Sequence, residues 1–234
     1  MEQRIDKIFS SYSIMSRKDC EKAIKHKLVK VNGEIVKSPS IKADVEKDII
    51  TYQDKVLEFK KYLYIMLNKP QGVVSATEDS LYPTVVDILP NDMKRKGLFP
   101  CGRLDKDTVG LVIITDDGIS SHKRLAPKNQ TKKVYLYKTA DEVKDEDVLK
   151  IEEGVLLKDG YKTKPCKVEK ISSFEGRITL IEGKYHEIKR IFGSLGNKII
   201  YLKRLSFGGI ELDNTLKEGE ARFLTKEEEL LFTK

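Results

Sequence analysis

The chain has 234 residues, 39% of them apolar, which is enough for one large domain or two modest ones with a real core and excludes global disorder. Lysine and arginine outnumber aspartate and glutamate by 44 to 37, a positive excess that points to an acidic partner. Cys20, Cys101 and Cys166 lie far apart, as do His26, His122 and His186, so neither a disulfide framework nor a metal site is expected. The longest apolar runs are far shorter than the roughly 20 residues that a membrane helix needs, and the chain is charged from Glu2 onward. A soluble cytoplasmic protein is expected.

The first sixty residues read as a small module. Ile5, Ile8 and Phe9 have helical spacing. Ser16 with Asp19 three residues on has the form of a capping box opening a helix that runs to about His26. Cys20, Ala23 and Ile24 mark its inner face, and Arg17, Lys18, Lys22 and Lys25 its outer one. Asn32-Gly33 lies between two alternating stretches, a strong hairpin signal. A short strand over 49–52 closes the unit. Residues 1–43 carry ten basic and five acidic side chains, so the positive excess is local, as a nucleic-acid footprint would be. A basic helix followed by a hairpin resembles the S-four RNA-binding fold, and the resemblance covers residues 1–57. A charged linker is expected over 58–61.

From residue 62 the chain alternates strand-like runs with turns. Strands are expected over 62–67, 72–75, 111–115, 133–138, 177–181 and 198–202, and helices over 83–89, 145–152 and 186–195. The pattern is α+β and dominated by strands; without regular βαβ alternation, a doubly wound sheet is not expected.

The densest chemistry lies in Gly102-Arg-Leu-Asp-Lys-Asp-Thr-Val-Gly-Leu-Val112, which sets Asp105 beside the cation Arg103 between two glycines, ahead of an apolar strand. A lone acid there is compatible with a nucleophile, a metal ligand, a helix cap or an ion-pair partner of Arg103. The metal reading fails, because an EF-hand register would put Val109 at its fifth position and Asp116 at its twelfth. Two other segments bear on the choice. Lys132-Lys-Val-Tyr135-Leu-Tyr137 places two tyrosines on one strand face, suited to stacking on a base or to filling a core. Glu182-Gly-Lys-Tyr-His-Glu-Ile-Lys-Arg190 opens an amphipathic helix with Lys189 and Arg190 at its apolar edge.

Together these segments resemble the pseudouridine synthases of the RsuA type, the bacterial ribosomal-RNA branch. The residues that carry the resemblance are Tyr64-Ile-Met-Leu-Asn68-Lys69-Pro-Gln-Gly72; Gly102-Arg-Leu-Asp105 with Thr108, Gly110-Leu111, Thr115 and Asp117-Gly118; Lys133-Val-Tyr135; Gly183-Lys-Tyr-His-Glu-Ile-Lys-Arg190; and Leu202-Lys-Arg204 with Gly208-Gly209-Ile210. The resemblance implies a catalytic domain over 62–234, built on a mixed, mainly antiparallel sheet flanked by helices. It implies that Asp105 is the catalytic aspartate, that Tyr135 stacks on the target base, that Lys189 pairs with Asp105 and that Leu202 packs on the base from the other side. Arg103 would hold the RNA around the flipped nucleotide. RNA contacts are expected from Arg17, Lys18, Lys22, Lys25, Asn68, Lys69, Lys133, Arg190 and Arg204. Glu187 stands where the family more often has glutamine, and a carboxylate cannot donate as the amide does. Asp116 stands for the more common asparagine, in a turn where either serves.

The implied reaction turns a uridine into pseudouridine with no redox change and no added atoms, so no cofactor is expected. The expected partner is ribosomal RNA, free or within a small-subunit assembly intermediate, with the protein a monomer. The short chain favours the 16S over the 23S RNA. The competing readings are a non-catalytic ribosome-assembly factor and, with Asp107 as a second carboxylate, a nucleoside or sugar hydrolase.

Overall fold

The computed structural model describes residues 2–234. The chain divides into two compact units, residues 1–62 with 92–97, and residues 63–91 with 98–234.

The first unit comprises β1 (Gln3–Arg4), α1 (Ile5–Ser11), α2 (Arg17–Lys25), β2 (Val29–Val31), β3 (Glu34–Ile35), β4 (Lys42–Ala43), β5 (Ile50–Tyr52) and β6 (Lys55–Val56). Ser16 caps α2 as its spacing predicts: Oγ accepts from Asp19 N at 3.1 Å and donates to Asp19 Oδ2 at 2.6 Å. Asn32 and Gly33 both take positive φ, 51° and 85°, the requirement of the tight turn that joins β2 to β3. The strands run β3-β2-β5-β6, all antiparallel, and β1 pairs separately with β4. Ile5, Ile8 and Phe9 of α1 meet Cys20, Ala23 and Ile24 of α2 over Val29 and Ile50, leaving Arg17, Lys18, Lys22 and Lys25 exposed.

Residues 58–61 are tied into this unit. The Phe59 ring packs edge-on against Tyr12 at 5.0 Å. Arg95 donates to the carbonyls of Lys60 and Lys61 at 2.8 and 2.9 Å and lies over the Tyr12 ring. These bonds account for the place of 92–97 in the first unit, whereas the sequence reading runs one uninterrupted domain from residue 62.

The second unit holds β7 (Tyr64–Lys69), β8 (Phe99–Pro100), β9 (Val109–Thr115), α3 (Gly118–Leu125), β10 (Lys133–Thr139), α4 (Asp145–Glu153), β11 (Lys167–Lys170), β12 (Glu175–Leu180), α5 (Glu187–Ser194), β13 (Ile199–Phe207), β14 (Ile210–Glu211), β15 (Ala221–Phe223) and α6 (Lys226–Thr233). Its nine-stranded sheet runs β11-β12-β10-β13-β9-β7-β15, with β8 on β9 and β14 on β13. One pair, β9 with β13, is parallel and the rest are antiparallel. Every residue of β7 and β9 is buried, so these central strands do not alternate apolar with polar: β9 is apolar up to Thr115, and β7 ends in the buried polar pair Asn68-Lys69. Gly110 is required where β9 meets β13: its φ is +101°, and a Cβ there would stand 2.4 Å from the Arg204 carbonyl oxygen.

Two expected elements do not form. Residues 72–75 are not a strand; Val74 makes only an isolated bridge to Thr84. Residues 83–89 are not a helix but a single turn, locked by Thr84 Oγ1 donating to Asp87 Oδ2 at 2.8 Å and accepting from Asp87 N at 3.1 Å. Pro90, which has no N–H, follows at once and stops propagation.

Candidate active site

Asp105 lies on the loop between β8 and β9, held from beneath by the last residue of β7 and residues that follow it. Lys69 is fully buried, and its Nζ donates to the carbonyls of Thr108, Lys106 and Pro70 at 2.8, 3.2 and 3.1 Å. Burial pushes the Lys69 pKa down to about 8, against the pull of Asp107 and Asp105. Gly72 N donates to the Lys106 carbonyl at 2.9 Å. Ser75 Oγ accepts from Leu104 N at 3.0 Å and donates to the Leu104 carbonyl at 3.1 Å. The loop is thus stapled on both sides of Asp105, and its turn is closed by Thr108 N on the Asp105 carbonyl at 3.1 Å. No helix starts here, which removes the capping reading.

The Asp105 side chain is 27% exposed, and each oxygen faces a cation or potential cation. Lys189 Nζ, from α5, stands 3.1 Å from Oδ2, and His186 Nε2 stands 3.4 Å from Oδ1. The same Lys189 Nζ donates to Asp107 Oδ1 at 2.5 Å. Burial pushes the Asp107 carboxyl up, but the Lys189 hydrogen bond and charge outweigh it and hold it below its usual value. Lys189 is raised in turn, since its two carboxylate partners outweigh burial. Among the described residues no ion pair joins Arg103 to Asp105; Arg103 is exposed beside the same cavity.

That cavity, of about 530 Å³, brings Asp105, Arg103, Tyr135, Lys189 and Leu202 together from a loop, two strands and a helix. Tyr135 (9% exposed) and Leu202 (7%) sit on the neighbouring strands β10 and β13. Tyr137, on the same face of β10 as Tyr135, is fully buried against Phe192 at 4.8 Å and belongs to the core. Among the described residues no cluster of three His, Cys, Asp or Glu side chains could hold a metal ion.

The nine expected RNA contacts divide. Arg17, Lys18, Lys22 and Lys25 are exposed on α2 of the first unit. Lys133 is half-buried at the cavity, its Nζ donating to the Thr131 carbonyl at 2.9 Å, and burial lowers its pKa. Arg190 is half-buried and paired with Asp159. Asn68 and Lys69 are corrected: they are 1% and 0% exposed and serve as internal braces rather than an RNA-facing surface, whereas Arg204, 1% exposed, braces the sheet and also lines the cavity. Asn68 Nδ2 donates to the Leu216 carbonyl at 2.8 Å, and Arg204 Nε to the Leu111 carbonyl at 2.7 Å. Most buried polar groups have such partners, although Asn68 Oδ1 and Arg204 Nη2 have none among the described residues.

Glu187 is 5% exposed, with Oε2 accepting from Lys184 N at 2.8 Å. Its Oε1 has no donor among the described residues. Its carboxyl lies within hydrogen-bonding reach of Glu182, which already accepts from Tyr161 OH at 2.6 Å and Lys164 N at 2.8 Å. Burial, then the Glu182 bond, pushes the Glu187 pKa up to about 7, while Glu182 is held low. In its protonated form Glu187 can donate to Glu182, as a glutamine amide does. The sequence reading assigned no role to His186, Glu182 or Tyr161; His186 lies inside the segment it singled out, but its approach to Asp105 spans 81 residues of chain and leaves no local pattern.

A family model described as RNA pseudouridylate synthase matches residues 63–194, and one described as S4 domain matches residues 3–50. The chain is 42% identical over 228 residues to ribosomal small subunit pseudouridine synthase A of Haemophilus influenzae, spanning 96% of this chain and 97% of that one. It is 40% identical over 229 residues to an uncharacterized RNA pseudouridine synthase of Bacillus subtilis, YtzG, spanning 96% of each. The crystal structure of a pseudouridylate synthase matches at a TM-score of 0.70 and 40% identity, over 98% of this chain and 99% of that one. A stapled aspartate in a basic, aromatic-lined cavity, a solved relative 40% identical over 98% of the chain and a family match over more than half the sequence agree: the chain belongs to the RNA pseudouridylate synthase family.

Proposed function

We propose that the protein converts one uridine of small-subunit ribosomal RNA to pseudouridine, with Asp105 as the catalytic group. The single observation that carries the reading is the seating of Asp105, with one oxygen on Lys189 and the other on His186, in the cavity that also holds Tyr135 and Leu202. The small-subunit target rests on the Haemophilus influenzae relative, whose name gives that substrate.

The chemistry follows from the arrangement. The target uridine leaves its helical stack, at a cost of a few kcal/mol, and enters between Tyr135 and Leu202. Stacking on Tyr135 returns roughly 1–3 kcal/mol of that cost. The C1′–N1 bond then breaks, and the Asp105 carboxylate stabilises positive charge developing on the sugar. The retained base turns, C1′ bonds to C5, the C5 hydrogen leaves as a proton and N1 takes one up. No electron is gained or lost and no atom is added, so the residues of the cavity suffice. Arg17, Lys18, Lys22 and Lys25 of the first unit hold the phosphate backbone of the RNA.

Release of tritium from RNA labelled at uridine C5 reads the reaction directly. The expected result is release from small-subunit RNA, free or partly assembled, by the wild-type protein and none by Asp105→Asn. Absence of release from every ribosomal RNA and pre-ribosomal particle would refute the isomerase reading; release confined to large-subunit RNA would move the target.

A further inference from the structure

Tyr185 is 71% exposed, unusual for a tyrosine beside a cavity this well formed. Its ring is not loose. It stacks on the neighbouring His186 imidazole with centroids 3.8 Å apart and planes 18° from parallel. His186 is itself held in the left-handed region, φ 49° and ψ 34°, a conformation that a non-glycine residue adopts at a cost, and its Nε2 approaches Asp105. Strained backbone, a fixed pair of rings and an exposed outer face therefore coincide at the cavity mouth, one residue from a contact to the reacting carboxylate.

The surroundings of the stack select what would cover it. Lys184 precedes it, with Nζ 4.8 Å from the Tyr161 ring. Arg190 Nη1 donates to the Tyr185 carbonyl at 3.4 Å. Arg103 is exposed on the same cavity. A flat aromatic face among cations is the combination that receives single-stranded nucleic acid, the base on the ring and the phosphates on the charges. Flipping the target uridine also strips its neighbour of a stacking partner, and that neighbour is the base nearest the cavity mouth.

We propose that the Tyr185–His186 stack is a platform for the base of the nucleotide adjoining the target uridine, so that Tyr185 continues the stack that flipping interrupts. The platform rests on the isomerase reading for its RNA but involves residues to which that reading gives no base contact. It assigns Tyr185 to substrate affinity and to the sequence position next to the target, not to the bond-making step.

The test is a double-mutant cycle on a small-subunit RNA fragment that contains the modified uridine, with an abasic nucleotide placed on its 5′ or its 3′ side. On intact RNA, Tyr185→Ala is expected to raise KM and Kd about tenfold, the scale of one lost base stack, while kcat stays within about twofold. Tyr185→Phe, which keeps the ring, is expected to restore both constants to within about twofold. The abasic change on one side should weaken wild-type binding about tenfold and Tyr185→Ala hardly further; on the other side the two losses should multiply. Multiplying losses on both sides, unchanged KM and Kd in Tyr185→Ala, or a fall in kcat alone, as expected if the ring merely steadies His186, would each overturn the platform. Kd from fluorescence anisotropy does not require turnover. RNA that binds wild-type protein without forming pseudouridine would count against the isomerase reading while the cycle in Kd still decides the platform.

Discussion

Lys189 holds Asp105 through Oδ2 at 3.1 Å while donating to Asp107 Oδ1 at 2.5 Å, so one ammonium fixes both ends of the Asp105–Asp107 segment. The two bonds differ in consequence. Asp107 is 59% exposed at its side chain, whereas Asp105 is 27% exposed and faces the cavity. Lys189→Met is expected to lower kcat about a hundredfold, since a misdirected carboxylate loses roughly 3 kcal/mol of transition-state stabilisation at 1.36 kcal/mol per factor of ten. Asp107→Asn keeps an acceptor for Lys189 and is expected to lower kcat less than tenfold. Single-turnover rates on the same RNA separate the two, and equal losses would remove the distinction.

The buried Lys69 is expected to matter through the loop it staples. Lys69→Met fills the volume but leaves the Thr108 and Pro70 carbonyls without that donor, at about 1–3 kcal/mol for each unsatisfied group, while the Lys106 carbonyl keeps Gly72 N. Removing a buried charge offsets part of this. The net expectation is a loss on the order of 2 kcal/mol in a urea melt, with kcat falling at least tenfold because Asp105 is no longer fixed. RNA affinity should stay within about twofold, since Lys69 is fully buried and offers no RNA-facing atom. A large loss of affinity with unchanged stability would restore Lys69 to the RNA interface.

The contrast between Lys69 and Ser16 shows what a sequence carries. Ser16 caps through Asp19, three residues away, and Asn32-Gly33 turns through its own backbone, so both are legible locally. The acceptors of Lys69 lie up to 39 residues along the chain, and a lysine in a basic protein reads as surface until those carbonyls are seen. Arg204 hides for the same reason, its acceptor Leu111 being 93 residues away. Residues 72–75 and 83–89 have the composition of a strand and a helix, but their order comes from bonds of Ser75 to Leu104 and Thr84 to Asp87 rather than from a repeating ladder. The final helix carries a local signal, the complete capping box of Thr225 and Glu228. Bringing Asp105 beside Lys189 depends on joining β9 and β13 in parallel, a register that no local pattern encodes.

Glu187 should make stability depend on pH in a defined direction. Its folded pKa, about 7, lies above the usual 4.5, so between these values the folded protein holds the proton that the unfolded chain has lost. Stability from this group is therefore complete below about pH 4.5 and declines as pH rises through 7. The displacement is worth on the order of a few kcal/mol, and the opposite movement of Glu182 offsets part of it. Glu187→Gln stays neutral and can donate to Glu182, so it is expected to be more stable than wild type at pH 8 and nearly equal to it at pH 5. Urea melts at both values read the difference; a variant less stable than wild type at pH 8 would show that the folded protein favours the charged Glu187 carboxylate, against the upward direction of its pKa.

The exposed face of α2 should govern affinity through charge alone. Lys18, Lys22 and Lys25 make no hydrogen bond to the core of their unit, and Lys22 has only its surface pair with Asp19 at 3.1 Å. Such a pair contributes about 0–1 kcal/mol and is readily exchanged for a phosphate. Changing all three lysines to glutamine is expected to leave the melting temperature within about 2 °C, since helix propensity hardly differs. Each phosphate contact removed should lower the slope of log Kd against log salt by about 0.7 on single-stranded and 0.9 on duplex RNA-like sites, a loss of about 2 for the triple variant. Turnover of RNA already bound should be preserved, because none of the three lines the cavity. If Kd and its salt slope match wild type, α2 is not the RNA-facing surface.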